Sequence, residues 1–374
     1  MLNKFFVLLA GFLLCVTAVC AQTIRIQNKT TNRYEEKVIE IPWQEVKANF
    51  RGIDSNNFKV IDIRNKKELI YQLEYKGQAQ TQNLLIQVSV PAKSSIDIKL
   101  IAGKHRSFQP KTYGRYVPER KDDFAWENDK IAFRVYGKAL EGTSEDAKGI
   151  DVWVKRKDSL VINYRYKTND YHVDHGNGLD YYHVGYSLGA GNITPYIKDT
   201  IRFPHNYDSY KILDNGPLRI SFTLYFEDFS VEGKSISSSK TISLDAGSQL
   251  NKIQASYISS GDTSVNVVAG IVKRAEPGVV YMNQQEGILG YWEPQHGDDG
   301  TTGVATLINN IADNMWIGKE NFLTLIKTKN QQITYYAGAV WNKAGRITTA
   351  QQWFKYLDDF QKQLKFPLTI SFAR

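Results

Sequence analysis

Cysteine is almost missing from this chain: its 374 residues hold two, Cys15 and Cys20. Both fall where Asn3 and Lys4, an apolar run from Phe5 to Ala18 and the small-residue stretch Val19 to Ala21 read as an export leader, 1–21, cut before Gln22. The mature chain then carries no thiol, which excludes cysteine nucleophiles, thiolate zinc sites, redox motifs and disulfides together. Export without disulfides fits a bacterial periplasm, and the apolar run is too short to span a membrane. Cys20 also admits a lipid-anchored form, but Val19 is larger than the residue that usually precedes a lipidated cysteine.

Other signals are absent too. There is no Gly-rich phosphate loop, no Gly-x-Ser-x-Gly elbow and no His-Glu-x-x-His pair, so nucleotide hydrolysis, esterase and zinc-protease chemistry lack their usual marks. Internal repeats and low-complexity tracts are absent. The formal net charge is +8, which favours acidic partners. Export and the interspersing of basic with acidic residues, as from Glu119 to Asp123, with no nucleic-acid motif, argue against nucleic acid and leave an anionic surface, an acidic polysaccharide or an ordinary solvated basic surface.

What is present is alternation. Short apolar/polar stretches bounded by Gly, Asn, Asp or Ser predict a mainly β protein, a large antiparallel β-sandwich with few helices. Strands are expected at Thr23 to Gln27, Lys37 to Ile41, Phe58 to Ile63, Leu69 to Leu73, Leu84 to Val90 and Ser95 to Leu100, a first layer or subdomain over 22–107. The main domain, 108–374, opens with Phe108 to Glu127, which lacks periodicity and reads as a long loop crossing a binding face. Strands resume at Ile131 to Tyr136, Ile150 to Lys155 and Leu160 to Tyr166, and continue from Leu218 to Glu293. One helix is predicted, with Trp353, Tyr356, Leu357, Phe360 and Leu364 as its stripe, Thr348 or Thr349 as its cap and Pro367 beyond its end.

Chemistry concentrates in Tyr171 to His183, which gathers three of the six histidines with Asp174, Asp180 and Tyr182. Gly176 and Gly178 predict a turn that brings its flanks together. The cluster suits either a divalent metal on His172, Asp174 and His183, or proton transfer with a histidine as base and Asp174 or Asp180 orienting it. The bland alternative is packing at a sheet end. No other cofactor is expected. A second group, Arg115 to Asn128, sets cations beside aromatic faces, as an acidic sugar requires: Arg115, Tyr116, Arg120, Lys121 and Trp126. Mutual pairing of its charges would explain the same composition. Trp292 and His296, within Gly290 to Asp299, are a third group, and Tyr335 to Gly345, with Trp341 and Lys343, a fourth.

The segments Arg115 to Asp129, Ile131 to Gly137, Gly149 to Trp153, Tyr171 to Gly191 and Tyr335 to Gly345 resemble the bacterial family catalogued as domain of unknown function 4861. The resemblance implies an exported protein of polysaccharide-degrading systems, a mutarotase-like supersandwich, and a dehydratase acting on uronic-acid-bearing oligosaccharides such as those from ulvan. Such a lyase needs a cation on the uronate carboxylate, for which Arg115, Arg120 or Lys121 is available, and a base over C5, for which His172, His175 or His183 is. Tyr182 would protonate the departing hydroxyl. The alternatives are a glycoside hydrolase with paired carboxylates among Asp122, Asp123, Glu127, Asp174 and Asp180, or a non-catalytic glycan-binding protein. Oligomeric state is not legible.

Overall fold

Alternating burial along the strands shows how the chain layers itself, as in Thr23–Asn28, where Ile24 and Ile26 are fully buried and Arg25 and Gln27 are exposed. The computed structural model describes residues 22–260 and 264–373; the expected leader with Cys15 and Cys20 lies outside them. Every strand ladder is antiparallel, and three α-helices occur among the described residues: α1 (Trp43–Asn49), α2 (Ile162–Thr168) and α3 (Ala350–Lys365). None of them is long and apolar enough to cross a membrane.

The predicted mainly β sandwich is what forms. Its largest layer is an eight-stranded sheet in which Arg219–Val231, Lys234–Asp245, Leu250–Ser259 and Gln332–Trp341 pair in succession. A five-stranded sheet around Asn266–Val272 and a four-stranded sheet, Asp151–Trp153, Ala132–Val135, Asp123–Asn128 and Thr112–Val117, share one apolar core with it. Phe124 of the four-stranded sheet stacks 4.1 Å from Phe222 of the eight-stranded one. The opposite face of the large sheet carries α3, whose Trp353, Leu357 and Phe360 seal a separate core. Its cap is Thr349, which accepts from the Gln352 N–H.

The amino-terminal strands make two further sheets around their own core, joined by the last strand of the chain, Thr369–Ala373, which pairs with Thr23–Asn28. The 108–374 segment thus returns its end to the first unit.

Two expectations fail. Phe108 to Glu127 is no loop: it contains the strands Thr112–Val117 and Asp123–Asn128. Its charged residues hid the pattern because they lie on a sheet face that α2 and the Tyr171 segment cover, where burial does not require apolar side chains so long as charges pair. Leu160 to Tyr166, read as a strand, instead enters α2. The Glu127 carboxylate accepts the Val161 and Ile162 N–H groups at 2.8 Å and starts that helix from 34 residues away.

Candidate active site

The outward face of the four-stranded sheet follows from strand alternation. Phe124, Trp126, Phe133 and Val152 turn into the core, so Asp123, Glu127, Arg134, Asp151 and Trp153 turn the other way. Arg134, 4% exposed, meets Asp151 at 2.6 Å, Asp180 at 3.1 Å and Asp123 at 3.5 Å. The guanidinium also lies 5.1 Å over the Trp153 ring. Arg134 is thus in ion-pair range of all three buried carboxylates. Burial pushes the Asp123 carboxyl up to about 6 against the pull of Arg134 and Arg120. Burial and then the Asp151 charge push Asp180 up as well.

The two sequence groups meet above this cluster. Arg120 donates from Nε to the Tyr171 hydroxyl at 3.3 Å and from Nη2 to Glu145 at 3.0 Å. Arg115 lies 5.4 Å over the Tyr166 ring, and Tyr166 donates to Asp123 at 3.2 Å. Buried polar atoms without a partner among the described residues include Arg115 Nε, Arg120 Nη1, Asp123 Oδ1 and Trp153 Nε1. Buried donors and acceptors are rarely left unpaired, so these atoms are the candidates for contact with a ligand.

His172 stands at its edge. The ring is 68% exposed, its centroid is 4.7 Å from that of Tyr171, and Nδ1 lies 2.8 Å from the Asp180 carbonyl oxygen. A carbonyl only accepts, so Nδ1 carries the proton and Nε2 of the neutral ring is the free basic nitrogen.

The remaining expected residues divide. His175 is exposed and pairs with Asp170 at 2.9 Å; His183 is exposed, and its carbonyl accepts from Arg274 at 2.6 Å. Lys121 pairs with Glu145 at 3.0 Å, and Tyr116 donates to Asp122 and stacks on Tyr210. His296 stacks 5.2 Å from Tyr181 and bonds Asp299 at 3.0 Å, so the third group does reach the Tyr171 segment. The fourth reaches it through Arg156, which holds Asp174, lies 4.8 Å over Trp341 and donates to the Lys343 carbonyl.

Three expected site residues are placed elsewhere. Trp126 is fully buried and donates to Asn251 at 2.7 Å, so no sugar reaches it. Trp292 packs with the α3 core, on the sheet face opposite Tyr291 and Glu293. Tyr182 is 4% exposed, with Arg274 4.5 Å over its ring, and burial drives its hydroxyl far above the ordinary range; it cannot meet a leaving group at the surface. Asp174 is taken up by Arg156 and by the Gly176 and Gly178 N–H groups, so it does not converge with His172 and His183; among the described residues no three His, Cys, Asp or Glu side chains gather as a metal site.

Sequence reading missed Arg134, Asp151, Tyr166, Arg274 and Glu293. Arg134 had a signal, a cation between Phe133 and Val135 in an apolar strand. Glu293 is 6% exposed, bonded to Arg274 at 2.7 Å, and burial raises its carboxyl to about 7.

The family described as domain of unknown function (DUF4861) matches residues 26–370. The chain belongs to this family. It is 30% identical over 357 residues to the uncharacterized protein P7 of Formosa agariphila, covering 90% of this chain and 89% of that protein. By structure it is similar to a glycosyl hydrolase family 38 protein from Enterococcus faecalis, with TM-score 0.53, 8% identity, and coverage of 95% of this chain and 47% of that one. An alpha-mannosidase from Enterococcus faecalis V583 gives TM-score 0.54 at 8% identity, over 95% of this chain and 46% of that one. The chain therefore spans about half the length of these two structures, and at that identity the likeness is one of fold.

Proposed function

We propose that this family member is an exported carbohydrate-active lyase that eliminates water from a uronate-bearing oligosaccharide, with Arg120 on the carboxylate and His172 as the base. The observation that carries the reading is the grouping of Arg120, Tyr171 and His172: a guanidinium with a free buried N–H donates to the Tyr171 hydroxyl, and the Tyr171 ring lies 4.7 Å from an imidazole whose Nε2 is free. The fold it shares with proteins titled as a glycosyl hydrolase and a mannosidase supports a carbohydrate substrate.

The chemistry balances on these groups. His172 Nε2 takes the C5 proton, the C5–H electron pair forms the C4=C5 double bond, and the C4–O bond breaks. The departing hydroxide recovers a proton from the imidazolium and leaves as water. Arg120 and Arg115 neutralise the negative charge that grows on the carboxylate as C5 loses its proton.

A hydrolase is the second reading, favoured by the raised carboxyls of Asp123 and Asp180. The other carboxylates named for it are occupied: Glu127 is fully buried against Lys155, Asp174 holds Arg156, and Asp122 accepts from Tyr116. Ultraviolet absorbance during incubation with saturated uronate oligosaccharides separates the two, since elimination creates a conjugated double bond and hydrolysis does not. Release of shorter saccharides with no rise in absorbance would replace the lyase by a hydrolase. Binding without either product would leave a glycan-binding protein.

A further inference from the structure

From Gln22 onward the net charge is concentrated in one part of the chain. Residues 22–107 hold 15 Lys and Arg against 9 Asp and Glu, a surplus of +6, whereas 108–374 hold 31 against 30. Such asymmetry between two units points to an acidic partner for one of them. Within 22–107 several carboxylates are drawn toward the main domain: Glu36 meets Lys130 at 3.0 Å, and Glu40 and Glu74 meet Arg219 at 2.6 and 2.8 Å. The cations collect around the other sheet of the unit.

That sheet sets Thr369–Ala373, Thr23–Asn28, Ser94–Ala102 and Phe58–Asp62 side by side. Ile24, Ile26, Phe58, Val60, Ile96 and Ile98 fill the core on one side, so alternation turns Arg25, Lys59, Asp97 and Lys99 to the other, where all four are exposed or half-buried. Lys59 faces Ile101 across the ladder and Ile61 faces Lys99, which sets the two lysines diagonally on one face, about 7–8 Å apart. Arg25 is bound by Asp97 at 2.8 Å and Arg64 by Asp62 at 3.1 Å. Six cations around the sheet have no carboxylate in ion-pair range among the described residues: Lys59 and Lys99 on the face, Lys66 and Lys67 in the turn after Phe58–Asp62, and Lys104 and Arg106 beyond Ser94–Ala102. Two carboxylates stand near them, Asp54, which accepts the Asn56 N–H at 2.9 Å, and Glu68, which accepts the Arg106 N–H at 3.0 Å. The positive charge is therefore in excess here. Among the described residues no aromatic or leucine side chain points out from this face, as a surface that enters a membrane would require.

We propose that this face is an interaction surface for an acidic polysaccharide, held along Phe58–Asp62 by its carboxylate or sulfate groups. The polyanion follows from the uncompensated cations; that it is a saccharide rests on the proposed function. Such a surface would keep the chain on the polymer and raise the local concentration of uronate ends at Arg120.

The test is binding of the full chain to polygalacturonate, dextran sulfate, uncharged dextran and vesicles of anionic phospholipid, each at low and at raised salt. One or both acidic polymers should bind, dextran should not, and salt should weaken the binding because exposed charges are screened. Preference for the carboxylated or the sulfated polymer identifies the anion, and either supports the surface. Lys59→Gln, Lys66→Gln, Lys67→Gln and Lys99→Gln together should lower that affinity about tenfold or more, since each exposed ion pair is worth only a fraction of this. Removing four exposed lysines of the main domain instead, by Lys211→Gln, Lys319→Gln, Lys329→Gln and Lys362→Gln, lowers the net charge equally and should leave the affinity within about twofold. Equal losses in the two fourfold variants, no loss in the first, binding of dextran as tight as of the acidic polymers, or tighter binding to the vesicles would overturn the proposal. If the first variant fails to unfold cooperatively, Lys66→Gln with Lys67→Gln, both in an exposed turn, takes its place with an expected loss of about threefold. Arg120→Ala, which disables the first site, should keep the polymer affinity. Lysine-dependent polymer binding by a chain that eliminates nothing would remove the elimination reading and leave this surface standing.

Discussion

Arg120 and Tyr171, 51 residues apart, share a hydrogen bond of 3.3 Å that ties the cationic group of one strand hairpin to the histidine segment. On the proposed reading, Arg120 is the carboxylate clamp and His172, beside Tyr171, the base. Arg120→Ala should therefore lower kcat/KM on a uronate substrate by about a hundredfold or more, because the growing carboxylate charge loses its counter-ion. Arg120→Lys should recover only part of this, since an ammonium cannot bond Tyr171, Glu145 and a substrate in one planar fork. Equal activity in all three proteins would remove Arg120 from the site.

The histidines should separate. His172→Ala is expected to cut turnover by about a hundredfold or more, the order of a general-base contribution, with the thermal transition little changed because the ring is exposed. His175→Ala and His183→Ala should stay near the parent, as neither side chain contacts the Arg134 cluster. A large loss in His183→Ala with none in His172→Ala would reverse this assignment.

Trp126 should matter for stability and not for binding. Trp126→Ala empties a fully buried site beside Phe133 and Phe222 and strands the Asn251 acceptor, which should cost about 3–5 kcal/mol in denaturant unfolding. A stable variant with weakened saccharide affinity would restore it as a contact residue.

Glu293 makes stability depend on pH. Its folded pKa of about 7 lies above the ordinary 4.5, so between these values the folded chain binds more protons than the unfolded one, and stability falls as pH rises. The fall is complete above pH 7 and amounts to about 3 kcal/mol as an order of magnitude. Glu293→Gln cannot ionise, so its melting temperature should decline less from pH 5 to pH 8 than that of the parent. Parallel declines would show that Glu293 is not the group responsible; Asp123, raised in the same sense, would be tested next by Asp123→Asn.

Local pattern was enough for much of the architecture. Alternation in Thr23–Asn28, Lys234–Asp245 or Leu250–Ser259 depends on which side of a pleat each residue occupies, and the α3 stripe with its Thr349 cap is complete within one helix. The wealth of the Tyr171 to His183 and Arg115 to Asn128 segments in ionisable and aromatic side chains was equally open to reading, because composition needs no partner. Partners are what only the tertiary structure decided. Trp126 and Arg134 belong to neighbouring strands, and pairing sends one into the core and the other onto three carboxylates drawn from Asp123, Asp151 and Asp180. The strand-like stretch at Leu160 becomes α2 because a carboxylate 34 residues earlier satisfies its first N–H groups. Sequence sets the period of each element, whereas the charge a buried group can hold depends on what distant strands place within a few ångströms of it.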